Sequence, residues 1–226
     1  MDIRRTFILH ILLTSLFVCM GCDQEQANGQ SALPPPPTIR RVPVDQQWAT
    51  FRGLGFELNP GVDNNILERA RAHKTEQTPY FDLYIELGGT IEKEPWTPLT
   101  DRVWNFDIEA IEDHGAYIDI MKNLGRITRG EIRFENVKDY VDVEQGVAWV
   151  SFTLQGKQYK WNLKVEDDWA DPELFTKVSQ LPTTLKTKGR YTYFSTGGQD
   201  MVIGYETPES RDAIIKATGL KIEWLN

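Results

Sequence analysis

Between Val147 and Val165 the chain alternates apolar and polar residues twice over. The first half sets Ala148, Val150, Phe152 and Leu154 against Val147, Trp149, Ser151 and Thr153, and the second sets Tyr159, Trp161, Leu163 and Val165 against Gln158, Lys160, Asn162 and Lys164. A period of two is the signature of a strand with one buried face. Gln155-Gly156 stands between the halves, where a two-residue turn closes a β-hairpin. The stretch is therefore expected to form a hairpin with one solvated, basic face, and its apolar face needs a cover.

Helices are expected to supply part of that cover. Asp171-Pro172 pairs a capping residue with proline at the first helical position, and Leu174, Phe175 and Val178 follow as an apolar stripe. Thr207-Pro208 repeats the arrangement ahead of Ile214, Ala217 and Leu220, with Gly219 as the stop. A third helix is expected from about Ala116 to Leu124, turning Tyr117, Met121 and Leu124 inward and ending at Gly125; a weaker fourth covers Asn64 to Ala72. Leu83, Ile85 and Leu87 alternate within Asp82–Leu87 before Gly88-Gly89, which predicts a strand. Further strands are expected at Arg190–Phe194, Met201–Tyr205 and Lys221–Trp224. Strands in runs with interspersed helices define an α+β fold, mainly an antiparallel sheet with three or four short helices.

The chain opens differently. Arg4 and Arg5 precede an apolar run from Phe7 to Met20, broken by His10, Thr14 and Ser15. A basic start followed by a short apolar core has the form of a secretory signal. A membrane-spanning helix needs about 20 apolar residues, more than this run supplies. The run ends in Cys19-Met20-Gly21-Cys22, which resembles the lipobox of bacterial lipoproteins, with Cys19 standing where that family usually has leucine. The resemblance covers residues 1–22 only. It implies cleavage before Cys22, lipid on the Cys22 sulfur, and a domain held to a membrane of the cell envelope, outside the cytoplasm. Asp23 resembles the residue that retains some Gram-negative lipoproteins at the inner membrane, and the choice between inner and outer membrane stays open.

Residues 22–41 are poor in apolar side chains, rich in Gln and contain Pro34-Pro35-Pro36-Pro37. Such a segment buries too little to order itself, and its prolines favour an extended conformation. The expected organisation is thus a signal at 1–21, a tether at 22–41 and one globular domain at 42–226.

Composition narrows the function. The chain carries a formal net charge of −8, and removing Asp2, Arg4 and Arg5 with the signal leaves −9. That sign disfavours nucleic acid and suits a basic protein partner, although solubility alone also explains it. The only two cysteines are Cys19 and Cys22, so the expected domain holds neither a disulfide nor a cysteine nucleophile. Its two histidines, His73 and His114, leave Ser/His/Asp triads and multi-histidine metal sites short of parts. No cofactor or metal site is expected.

Three constellations bear chemistry. Gly197-Gly198-Gln199-Asp200 could let a backbone approach a ligand, or simply turn between two strands. Glu109, Glu112, Asp113 and His114 combine carboxylates with an imidazole, as acid–base or metal chemistry requires; a solvated acidic loop is the plainer explanation. Glu166-Asp167-Asp168-Trp169-Ala170-Asp171 has oxygen donors but lacks the glycine and distal glutamate of a calcium loop. There Asp171 is expected to cap a helix and Trp169 to pack inward. Core packing is expected for Trp149, Trp161 and Trp224, while Trp48, Trp96 and Trp104 lie in irregular segments where exposure would mark a binding surface.

Three functional classes follow. The first is a non-catalytic protein-binding domain, in concrete form an immunity-type inhibitor of a basic toxin. The second is a structural or assembly lipoprotein of the envelope. The third is a carboxylate- or metal-dependent hydrolase, which requires Glu112, Asp113 and His114 to face one pocket.

Overall fold

A four-stranded antiparallel sheet runs through the middle of the protein, with a separate core on each face. The computed structural model describes residues 41–63, 68, 70 and 78–226. The signal segment, Cys22, the tether up to residue 40 and all but two residues of the helix expected at Asn64–Ala72 lie outside them; Glu68 and Ala70 are helical. The fold is α+β, as the sequence predicts.

The central sheet has the order β1-β6-β5-β7, from β1 (Val103–Asp107), β5 (Arg190–Ser195), β6 (Asp200–Glu206) and β7 (Glu223–Trp224). The hairpin read from alternation is present as β3 (Val147–Leu154) and β4 (Lys157–Leu163), joined by β2 (Glu135–Asp142) into a second antiparallel sheet. Gln155 and Gly156 both take positive φ, +50° and +76°, the geometry of a tight hairpin turn whose twist suits its strands.

Five named helices flank the sheets: α1 (Val44–Gly53), α2 (Phe81–Leu87), α3 (Ala116–Arg126), α4 (Pro172–Leu185) and α5 (Pro208–Thr218). On one face of the central sheet, Phe51 from α1, Leu83 and Tyr84 from α2 and Ile214 from α5 pack on Val103, Phe194 and Val202. On the other, α3, α4 and the inner face of the second sheet close over Trp104, Phe106, Ile203 and Tyr205. Each such large side chain taken from water contributes about 2 kcal/mol.

Several expectations need correction. Asp82–Leu87 is helical, since Leu83, Tyr84 and Leu87 also satisfy helical spacing and form the buried stripe of α2. Gly88 then lets the end of α2 meet β1, because a Cβ there would lie 2.5 Å from the Asn105 backbone nitrogen. Gly125 does not stop α3 but lies inside it, under the Phe134 ring. Trp48 and Trp104 are 9% exposed and belong to the cores, leaving Trp96 exposed at 64%. Trp149 sits on the outer face of the second sheet, beside Tyr140 and under the Lys160 ammonium.

Candidate functional site

Two acid-rich segments and the glycine loop, far apart in the chain, come together beside the start of α4. The stretch after β1 lies along the loop that follows β4: Ala170 N–H donates to the Ile108 carbonyl at 2.8 Å, and Ile111 N–H to that of Asp168 at 2.9 Å. The third segment, the connection between β5 and β6, joins through Gln199. Its side-chain amide donates to Glu109 at 2.8 Å and to Asp107 at 3.2 Å, a neutral bridge between two like charges.

Between these segments lies a cleft of about 620 Å³. Ile108, Ala170, Phe175 and Met201 contribute its apolar lining, Trp169 flanks it, and Glu166, Asp167 and Glu173 stand around it with Lys164. Trp169 is 41% exposed, which corrects the expectation that it packs inward. The backbone bridges made by residues 108–111 set the register of the loop so that Ala170, 5% exposed, takes the inward place. Asp167 at φ +55° bends the chain between Glu166 and Trp169.

Asp171 is not free to meet a ligand. Its carboxylate caps α4 by accepting from Glu173 N–H at 2.9 Å, and it also accepts from Lys164 N–H at 2.7 Å, while its own N–H donates to the Tyr117 hydroxyl at 3.2 Å. The helix cap expected at Asp171-Pro172 is therefore present and doubles as the clasp that holds the cleft loop. Burial, the largest influence, raises the Tyr117 hydroxyl above its ordinary pKa. Glu173 forms an ion pair with Lys177. Glu166 and Asp167 are exposed and have no ion-pair partner among the described residues.

The glycine loop lies next to this cleft, and Met201, one residue beyond it, enters the lining. Gly197 needs its φ of +90°, but a Cβ on either glycine would meet open space or ordinary contact, so neither is required for close approach. Asp200 holds the turn through its backbone carbonyl, which accepts from the Thr196 hydroxyl at 2.7 Å.

Glu109, Glu112, Asp113 and His114 do not converge. Glu109 is bound by Gln199, Glu112 is exposed, and Asp113 pairs with its neighbour His114 at 2.6 Å. The His114 backbone N–H and then its ring hold the Asp113 carboxyl below the usual carboxylate range. The His114 ring packs edge-on against Tyr140, 4.8 Å between centroids. None of the four lines the cleft. Among the described residues, no group of three or more His, Cys, Asp or Glu side chains is placed to hold a metal ion.

Ile108, Phe175 and Met201 were not legible as site residues, because each reads as ordinary core. A signal for Trp169 was present: a lone tryptophan among Glu166, Asp167, Asp168 and Asp171 is an awkward core residue, since burying it would pull charges out of water. Comparison with protein-family models, curated proteins and solved structures gives no match to this chain. No helix among the described residues is long and apolar enough to cross a membrane.

Proposed function

We propose that the chain is a lipid-anchored protein of the bacterial envelope whose globular domain binds another protein without catalysis, in concrete form an immunity-type inhibitor of a basic toxin. The observation that carries the binding reading is the cleft beside Trp169: an apolar lining, an exposed aromatic and, in Glu166 and Asp167, carboxylates without ion-pair partners among the described residues. Exposed aromatic surface edged mainly by negative charge suits a protein partner of the opposite sign. The anchor rests on the resemblance of Cys19–Cys22 to the lipobox.

The hydrolase reading needs Glu112, Asp113 and His114 in one pocket. Asp113 and His114 instead pair with each other at the surface, so it is not carried forward. Envelope assembly remains the second reading, favoured by the outer face of the β2–β3–β4 sheet, where Lys138, Lys160, Tyr140 and Trp149 face away from the cores.

Cross-linking in native membranes, followed by identification of the captured protein, tests the binding reading. The expected result is one basic protein whose recovery falls as salt rises; capture of a stable envelope complex without toxin protection would favour assembly. Replacing Cys22 with Ser tests the anchor separately. The variant is expected in the soluble fraction or unprocessed, and firm membrane attachment equal to that of the parent would refute the lipid.

A further inference from the structure

The Trp169 cleft offers its unfilled interactions in a particular combination, and that combination describes an occupant. Ala170 and Phe175 are 5% and 6% exposed, and with Ile108 and Met201 they offer an entering group mainly carbon surface. A polar group placed there would lose water without replacing its hydrogen bonds. An apolar side chain is the favoured insert.

Trp169 asks for a second feature. Trp149 already carries the Lys160 ammonium at 4.2 Å, and Trp224 the guanidiniums of Arg190 at 4.6 Å and Arg211 at 4.9 Å. Trp169, exposed beside the cleft, makes no ring–ring or cation–π contact among the described residues. Glu166 and Asp167 stand next to it without ion-pair partners there. An arginine or lysine at this place would meet a ring face and carboxylates together.

The charges that oppose this are few. Lys164 lines the cleft, and Lys177 already shares Glu173. The positive end of α4 also points here, but Pro172 has no N–H and Asp171 occupies that of Glu173. An anionic occupant would face Glu166, Asp167 and Glu173 at once.

We infer that the cleft takes a short segment of a partner protein in which a bulky apolar side chain is flanked by arginine or lysine. The inference rests on the protein-binding reading and adds the chemistry of what is bound. Apolar and cationic side chains at neighbouring positions of one segment satisfy lining and rim together, and neither does so alone.

Calorimetric titration of the full chain with three blocked peptides tests this: Arg-Leu-Arg-Phe-Arg, Arg-Gly-Arg-Gly-Arg and Glu-Leu-Glu-Phe-Glu. The first is expected to bind, the second at least about tenfold more weakly, and the third not at all. Trp169→Ala is expected to weaken the first peptide about tenfold. Glu166→Gln/Asp167→Asn should weaken it too, with a deficit that shrinks as salt rises. Both variants alter exposed side chains, and circular dichroism establishes that each is folded before titration.

Equal binding of the first two peptides, indifference to Trp169→Ala, or no binding of the first would overturn the inference. Capture of the native partner separates this failure from that of the wider reading. If Trp169→Ala still captures that partner, the domain binds protein elsewhere and only the cleft assignment falls. If neither peptide nor native protein is bound, both fall.

Discussion

Glu206 is 1% exposed and ionisable, a position that only a full set of partners can hold. Arg102 supplies two of them, donating from Nε at 3.0 Å and from Nη2 at 2.6 Å, and the Ser210 hydroxyl donates a third at 2.6 Å. The pair ties the last residue of β6 to the segment before β1 and to the first turn of α5. Removing one partner strands the other charge away from water, so Glu206→Ala is expected to lower stability by about 3 kcal/mol, read as a shift in the urea midpoint. Alkali should also unfold the domain through its buried phenols. Burial pushes Tyr205 up to about 12 and raises Tyr84 and Tyr191 well above their ordinary value. An unfolded tyrosine ionises near its ordinary pKa of about 10, so folding holds these protons that the unfolded chain releases. The stabilisation is complete below about pH 10 and is lost as pH climbs toward 12. Urea midpoints taken across that range should fall in step with tyrosinate absorbance from the unfolded chain; a flat profile would contradict the assignment.

The hairpin shows how far local pattern reaches. Since Gly156 sits at φ +76°, Gly156→Val is expected to cost about 1–2 kcal/mol, whereas Gly198→Ala should leave the thermal midpoint unchanged. Elements whose environment is one-sided were legible: β3 and β4, with one face in the core, and α4 and α5, with their Asp171 and Thr207 caps. Elements whose environment is two-sided were legible in part: β5 and β6 match the strands expected at Arg190–Phe194 and Met201–Tyr205, while β1 was missed. In β1, Val103 enters one core and Trp104 the other, so no alternation is visible. In β2 an inward position is held by Asp139, whose carboxylate accepts from the N–H groups of Gly115, Tyr117 and Ile118 at the start of α3. A bulge between Glu135 and Lys138 breaks its period further. Helix α1 hid behind Gln47, a fully buried amide on its apolar stripe that donates to the Val42 carbonyl and accepts from Tyr80 N–H, both at 2.7 Å. The cleft escaped for a related reason: its acids could be read as solvated loops, but their meeting depends on long-range backbone pairing.

At the scale of the molecule, the arrangement of two cores on one sheet makes β5 and β6 the best-protected strands. Each pairs with a neighbour on both sides, and their side chains alternate between the two cores. Hydrogen exchange is expected to be slowest at Thr192, Val202 and Ile203 and faster in β2 and β4, which are the edges of their sheet. Equal protection across both sheets would argue against this order. The cleft draws on the same architecture. Ile108, the loop from Lys164 to Ala170, and Met201 arrive from three separate stretches of chain, and none carries the site by itself. A partner that docks there would therefore test the joining of all three stretches at once. A half-made copy offers such a partner no seat, because the cleft exists only once those three stretches have met.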